Sequence, residues 1–218
     1  MTRRFLLYLR AMEKNLLEDV AAALRKRGFA AECFATGADA AARVMELAAD
    51  AKSVGFGGSV TVAALGLAET LAAAGKEIWR HGDPKWKPEE KMGVMRHELT
   101  CDLFLTSANA LTADGRLVNI DGNGNRVAAS IFGPGRVVFV VGRNKIVEGG
   151  IDEALARVKR EACPPNCRRL GKKTPCAATG ECADCSSPDR ICKVTVVMDR
   201  RPSRTRTCVV LVDEDLGY

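Results

Sequence analysis

Apolar residues recur at steps of three and four from Phe5 through Leu9, Met12, Leu16, Val20 and Leu24, the spacing of one helix face. Thr2 can cap that helix, and Gly28 ends it. Phe29 to Ala35 then predicts a short strand in which Cys33 is a small buried apolar residue. An Ala-rich amphipathic helix over Ala38 to Ala49, a strand over Ser53 to Phe56 and a helix from about Val60 to Ala74 continue the alternation. Ile78 and Trp79 form a further short strand. A polar loop with Pro84, Trp86 and Pro88 leads into a helix that runs to Leu99 and opens on Pro88-Glu89-Glu90, with proline in its first turn and acids near its positive end. His81 lies in that loop and His97 on that helix; the sequence establishes a partner for neither, and His97 reads as a surface or packed residue.

Asp102 to Asn109 is a strand ending in small polar residues, and Asp114-Gly115 between Leu111 and Leu117 is a hairpin signal. The run Asn119-Ile-Asp121-Gly122-Asn123-Gly124-Asn125 favours turns and positive φ. A short helix over Val127 to Phe132 is broken by Gly133-Pro134-Gly135. Val137 to Val141 is wholly apolar, as in a strand buried on both faces. Ile151 to Ala162 is the last long helix. Val194 to Met198 and Cys208 to Val212 are β-branched strands expected to complete the sheet, with Cys208 in the core. The chain therefore predicts one α/β domain over residues 1–218, with a mostly parallel sheet and, at 163–192, a cysteine-rich insertion.

Composition narrows the function classes. The 218 residues carry 33 Lys and Arg against 27 Asp and Glu, a net charge of +6. Part of that excess is local, with Arg157, Lys159, Arg160, Arg168, Arg169, Lys172 and Lys173 ahead of the cysteine stretch. Such cations form a solvated face, offset the negative charge of a thiolate site, or receive an acidic partner. Aromatic residues are 5% and no nucleic-acid signature is present, so nucleic acid is not an expected partner. The basic and apolar start, Met1 to Leu9, is followed by charge too soon for a secretory signal, and no apolar run approaches the roughly 20 residues a membrane helix needs. A cytoplasmic protein without membrane contact is expected.

Six of the nine cysteines fall between Cys163 and Cys192. Cys176, Cys182, Cys185 and Cys192 carry one C-x-x-C pair with two more distant partners, and Pro175, Gly180 and Pro188 bend the backbone between them. Four thiolates select zinc or an iron-sulfur cluster. Structural zinc usually takes two close pairs, whereas clusters use one pair with distant partners, so a 4Fe-4S cluster is favoured and zinc is the alternative. A disulfide-stapled loop is disfavoured in a chain with no secretory signal. Cys163 and Cys167 stand outside the expected ligand set; either could replace Cys176, or the pair could bind separately.

Gly57-Gly58-Ser59 joins a strand's carboxyl end to a helix start, where backbone N–H groups and the helix dipole receive anions; a ligand-free tight turn is the equal alternative.

The segment L-T-S-A-N-A-L-T-A-D-G-R-L-V-N-I-D-G-N-G-N-R at 105–126, with G-F-G-G-S at 55–59 and the closing V-V-L-V-D-E-D-L-G-Y, resembles the LutC-like lactate-utilisation proteins of the LUD domain family. The cysteine segment resembles that of a cysteine-bearing branch. The resemblance implies a three-layer α/β fold similar to the sugar-phosphate isomerase and CoA-transferase-like superfamily, and a pathway link to an iron-sulfur system of lactate oxidation. It also implies a ligand site between Gly57-Gly58-Ser59 and the edge formed by Asn109, Asp121, Gly122, Gly124, Asn125, Arg126, Asn144 and Lys145. Arg126 and Lys145 would clamp a carboxylate or phosphate. Asp121 is the best candidate for acid–base work, weighed against a role capping the helix near Gly124. Neither a Ser-His-Asp order nor the nucleophilic glutamate of a CoA-transferase can be located. Expected partners are an anionic small molecule and iron-sulfur redox proteins, with a homodimer left open. A redox or electron-transfer role in organic-acid utilisation leads; a non-redox isomerase or transferase, or an accessory binding module with a structural metal, is the alternative.

Overall fold

The structure is a computed structural model that describes residues 16–218, so the predicted face from Phe5 to Met12 and the Thr2 cap lie outside the described residues. Six strands form a parallel sheet in the order β1 (Ala30–Phe34), β10 (Arg206–Val212), β7 (Arg136–Gly142), β4 (Leu103–Thr106), β2 (Ser53–Phe56), β3 (Glu77–Trp79). Helix α1 (residues 16–26) leads into β1 (Ala30–Phe34). Next come α2 (Gly37–Leu47), whose cap Thr36 accepts from the Asp39 N–H, and β2 (Ser53–Phe56). The helix predicted over 60–74 is broken in two, α3 (Val60–Ala64) and α4 (Leu67–Ala73), because Gly66 at φ 62 turns the chain left-handed between them. Then β3 (Glu77–Trp79), α5 (Lys91–Glu98) and β4 (Leu103–Thr106) follow.

A second sheet, β8-β5-β6-β9, packs against one face of the first. Its strands β5 (Ala110–Thr112) and β6 (Leu117–Asp121) form the predicted hairpin, with Gly115 at φ 88 supplying the turn. Helix α6 (Asn125–Ile131) leads to β7 (Arg136–Gly142), and β8 (Ile146–Val147) returns to the small sheet. The last two strands do not complete one sheet together. β9 (Val194–Met198) pairs antiparallel with β6, whereas β10 (Arg206–Val212) enters the main sheet between β1 and β7.

The apolar runs explain the layers. In β7, Val137, Phe139 and Val141 pack with α1, α6 and the small sheet, while Val138 and Val140 face α2, α3 and α4 on the other side. Each such side chain, wholly removed from water, contributes about 1.5–3 kcal/mol. The result is a three-layer α/β fold in which both faces of the parallel sheet are covered.

The cysteine region begins as helix and not as loop. Helix α7 (Ile151–Arg157) passes through a π turn (Val158–Ala162) into α8 (Cys163–Arg169), and a further short helix, α9 (Pro175–Thr179), carries Cys176. Pro164 and Pro165 explain the irregularity, because neither has an N–H to donate to the preceding turn. Among the described residues no helix is long and apolar enough to cross a membrane.

Candidate functional site

The carboxyl ends of β2, β3, β4 and β7 open on one side of the main sheet, where ligands of open α/β sheets bind. Gly57, Gly58 and Ser59 leave β2 there. Ser59 caps α3 by accepting from the Val62 N–H at 3.2 Å. The Gly57 N–H is not free for an anion, since it donates to the Leu105 carbonyl at 3.0 Å and so extends the ladder. Gly57 is required for space: a Cβ there would stand 2.8 Å from Arg126 Cγ and 2.9 Å from Phe104 Cζ.

Arg126 is largely buried, its side chain 15% exposed, and every guanidinium nitrogen is engaged. Nε meets Asp121 Oδ2 at 3.2 Å. Nη1 donates to Asn119 Oδ1 at 2.5 Å and to the Ser107 carbonyl at 3.4 Å. Nη2 donates to the Ile120 carbonyl at 2.8 Å and to Asn109 Oδ1 at 3.1 Å. Its five donors are thereby committed, so Arg126 lends the site a positive field rather than an open clamp. Burial draws its pKa below the usual arginine range, against the pull of Asp121.

Lys145 is held in the same way. Its Nζ donates to Thr61 Oγ1 at 2.7 Å, Ser107 Oγ at 3.0 Å and the Ala108 carbonyl at 3.2 Å. Burial, with Arg157 and Arg126 nearby, lowers its pKa to about 7. Arg157 ties α7 to this edge by donating to the carbonyls of Asn144 and Asn109. Asp121 serves the helix start: Oδ1 accepts from the N–H groups of Asn123 (3.1 Å) and Gly124 (2.9 Å) while Oδ2 faces Arg126.

A cleft of about 400 Å³ lies outside these strand ends. Gly58, Asn109, Asp121, Gly122, Asn125 and Arg126 line it, and Ser59 and Lys145 line a smaller recess that shares Gly58, Asn109 and Arg126. Gly57 and Gly124 do not line either hollow, and Asn144 faces a different one while binding the Leu216 N–H and the Gly217 carbonyl. Sequence reasoning missed Lys91 and Asn166, and it placed Arg169 and Lys172 only in the basic stretch ahead of the cysteines; all four also line the cleft. It also left His81 unpartnered, although its place two residues beyond a strand's carboxyl end was a usable signal. Glu98, only 1% exposed, accepts from His81 Nδ1 at 2.7 Å. His97, an exposed residue, stacks on Trp79 with ring centroids 3.9 Å apart, in keeping with the surface or packed residue expected there.

All six cysteines from Cys163 to Cys192 line one cavity of about 20 Å³. Cys163 and Cys167 reach it from α8 and Cys176 from α9, whereas Cys182, Cys185 and Cys192 lie on the following loop. None is in a disulfide. Cys163 and Cys192 share a hydrogen bond at 3.3 Å, which holds the Cys192 thiol down to about 7 and pushes that of Cys163 up. Arg190 clips the loop, donating to the carbonyls of Cys185 and Cys192 and to Asp184, which adopts φ 43. That positive φ in a non-glycine residue is a strained conformation of the kind that collects at functional sites. Among the described residues no three His, Cys, Asp or Glu side chains gather closely enough to hold a single metal ion. Cys163, Ile191 and Cys192 line both the cavity and the larger cleft.

Fold and site together define a three-layer α/β protein with a cleft at the strand ends and a thiol-lined cavity behind one wall. A match to the LUD domain spans residues 17–212, and the chain belongs to the LUD domain family. That family is linked in general to lactate utilisation. Among solved structures, a DUF162 family protein from Deinococcus radiodurans is similar at a TM-score of 0.54 and 15% identity, over 92% of this chain and 98% of that one. At that identity the likeness concerns the fold alone. A search of curated proteins gave no match.

Proposed function

We propose that this LUD-domain protein carries a 4Fe-4S cluster on Cys176, Cys182, Cys185 and Cys192, and that the adjoining cleft takes a small organic acid in oxidation–reduction linked to lactate-type metabolism. The observation that carries the reading is that six thiols line one cavity and share a wall with a cleft bearing cationic side chains. The donor set is all sulfur, which suits iron-sulfur or zinc and excludes the hard cations. A cuboidal cluster takes ligands spread around it, and these thiols surround a space without meeting at one point.

The cavity has to widen to accept any metal. At about 20 Å³ it has room for little more than a water molecule. The exposed Cys182 loop is the part free to move outward. Lys159 and Arg190 border the thiols and offset the charge of a thiolate-bound group. When bound, such a cluster supplies one-electron transfer, and the resemblance names iron-sulfur proteins as the partners that would exchange those electrons.

The test is anaerobic purification with iron, sulfide and zinc analysis and a visible spectrum. Brown protein with about four irons per chain is the expected result. Colourless protein with stoichiometric zinc moves the reading to a non-redox enzyme or accessory module with a structural metal.

A further inference from the structure

The cleft holds one titratable pair that the cluster reading leaves unused. Glu98 ends α5 and is 1% exposed in its side chain; its Oε1 accepts from the His81 backbone N–H at 2.9 Å and from Nδ1 at 2.7 Å, and its Oε2 from Asn125 Nδ2 at 3.3 Å. A carboxylate only accepts, so the contact places a proton on Nδ1, and in the neutral imidazole the lone pair is then on Nε2. Nε2 has no hydrogen-bond partner among the described residues. It lies against the cleft loop, 3.8 Å from where a Cβ on Gly58 would stand. The imidazole is 20% exposed, and His81, Gly58 and Arg126 line the same cleft.

From this geometry we infer that His81 is a catalytic proton acceptor, oriented by Glu98, which takes a carbon-bound proton beside the carbonyl of a small 2-oxo carboxylate. The substrate class rests on the organic-acid reading of the cleft; the proton chemistry goes beyond it. In the step, the C–H bond breaks, its electron pair passes into the carbonyl as an enolate, and the proton bonds to Nε2. The resulting imidazolium faces the Glu98 carboxylate, and no oxidant is consumed. An imidazole removes such a proton only where the carbanion is delocalised, hence the carbonyl. The positive field of Lys91 and Arg126 favours both the carboxylate and the developing enolate. Asp121 is held by Arg126 and two backbone N–H groups and Cys192 is engaged with Cys163, so among the described cleft residues His81 is the acceptor with an open lone pair.

The experiment follows pyruvate in D₂O by proton NMR with the full chain, and measures binding separately by thermal shift. Wild type is expected to exchange the methyl protons about 100-fold or more above buffer, in the range general-base catalysis supplies. His81→Gln should fall to the buffer rate while still binding pyruvate. Glu98→Gln, which keeps an acceptor for Nδ1 but no charge, should fall in between. Gly58→Ala sets a methyl in front of Nε2 and should slow exchange with the pair intact. Wild type that binds pyruvate without exchanging it overturns the assignment, as does His81→Gln exchanging at the wild-type rate. If pyruvate fails to bind at all, the organic-acid reading of the cleft falls first and the assignment with it.

Discussion

The sulfurs of Cys163 and Cys192 stand 3.3 Å apart although 29 residues separate them in sequence. One sits on a helix that is continuous, through a π turn, with the α/β domain, and the other on the loop that returns to β9. Their contact closes the cysteine region back onto the fold.

Since the proposed cluster takes its four thiolates from Cys176, Cys182, Cys185 and Cys192, Cys163→Ser should retain iron and Cys192→Ser should lose it. Iron per chain and the visible spectrum of the two proteins decide this. Retention by Cys192→Ser with loss by Cys163→Ser would transfer the ligand role to the helix.

Arg190→Ala should loosen the segment between Cys182 and Cys192, because three bonds from one guanidinium hold it. Limited proteolysis of metal-free protein should cut there faster than in wild type, with global denaturation little changed, because the bonds it loses lie within one surface loop. Equal cutting rates would show that the loop is held by other contacts.

Arg126→Ala should act on folding. Read from sequence as an exposed clamp, this residue instead satisfies Asp121, Asn119, Asn109 and two carbonyls in a buried setting. Removing one partner of a buried ion pair costs about 3–5 kcal/mol. Urea denaturation should show a loss of that order, and Arg126→Lys should recover little, since an ammonium lacks the planar fork.

Lys145 gives a pH signature. Its amine has a folded-state pKa of about 7, depressed from an unfolded value near 10.5. Between these values the unfolded chain binds more protons, so stability rises with pH across the window, by at most about 1.4 kcal/mol for each pH unit crossed, and levels off outside it. Its three hydrogen-bond acceptors favour the ammonium and work against the full size of that effect. Denaturation at pH 7 and pH 9.5 should show a larger gain for wild type than for Lys145→Met. Parallel curves would mean that the amine stays charged.

Much of the fold was legible because it is written locally. The apolar run at Val137–Val141 and the Asp114-Gly115 turn each report a structure made by neighbouring residues. The separation of the last two strands into different sheets was not legible, since strand order depends on pairings between distant segments. The helical start of the cysteine region had a signal in Pro164-Pro165, which suit a helix's first turn. In the cleft, Gly58, Asn109 and Arg126 were found from sequence, but that Arg126 has no donor left could only follow from packing. The His81–Glu98 pair was hidden for the same reason: 17 residues apart, they meet because α5 packs beside β3.

The placement of β10 also bears on the order of assembly. This strand, residues 206–212, is the shared neighbour of β1 and β7, which hydrogen-bond to it on either side and not to each other. During synthesis the chain through residue 205 therefore has β1 cut off from the other four strands of the sheet, with Val137, Phe139 and their neighbours lacking one edge partner. Domains fold as units once their elements have emerged, and here the joining strand emerges after all six thiols of the cysteine region. Folding of the cysteine region and closure of the sheet thus fall within the same late interval on the ribosome. A nascent chain stalled before residue 206 should expose an adhesive strand edge that the finished protein keeps covered.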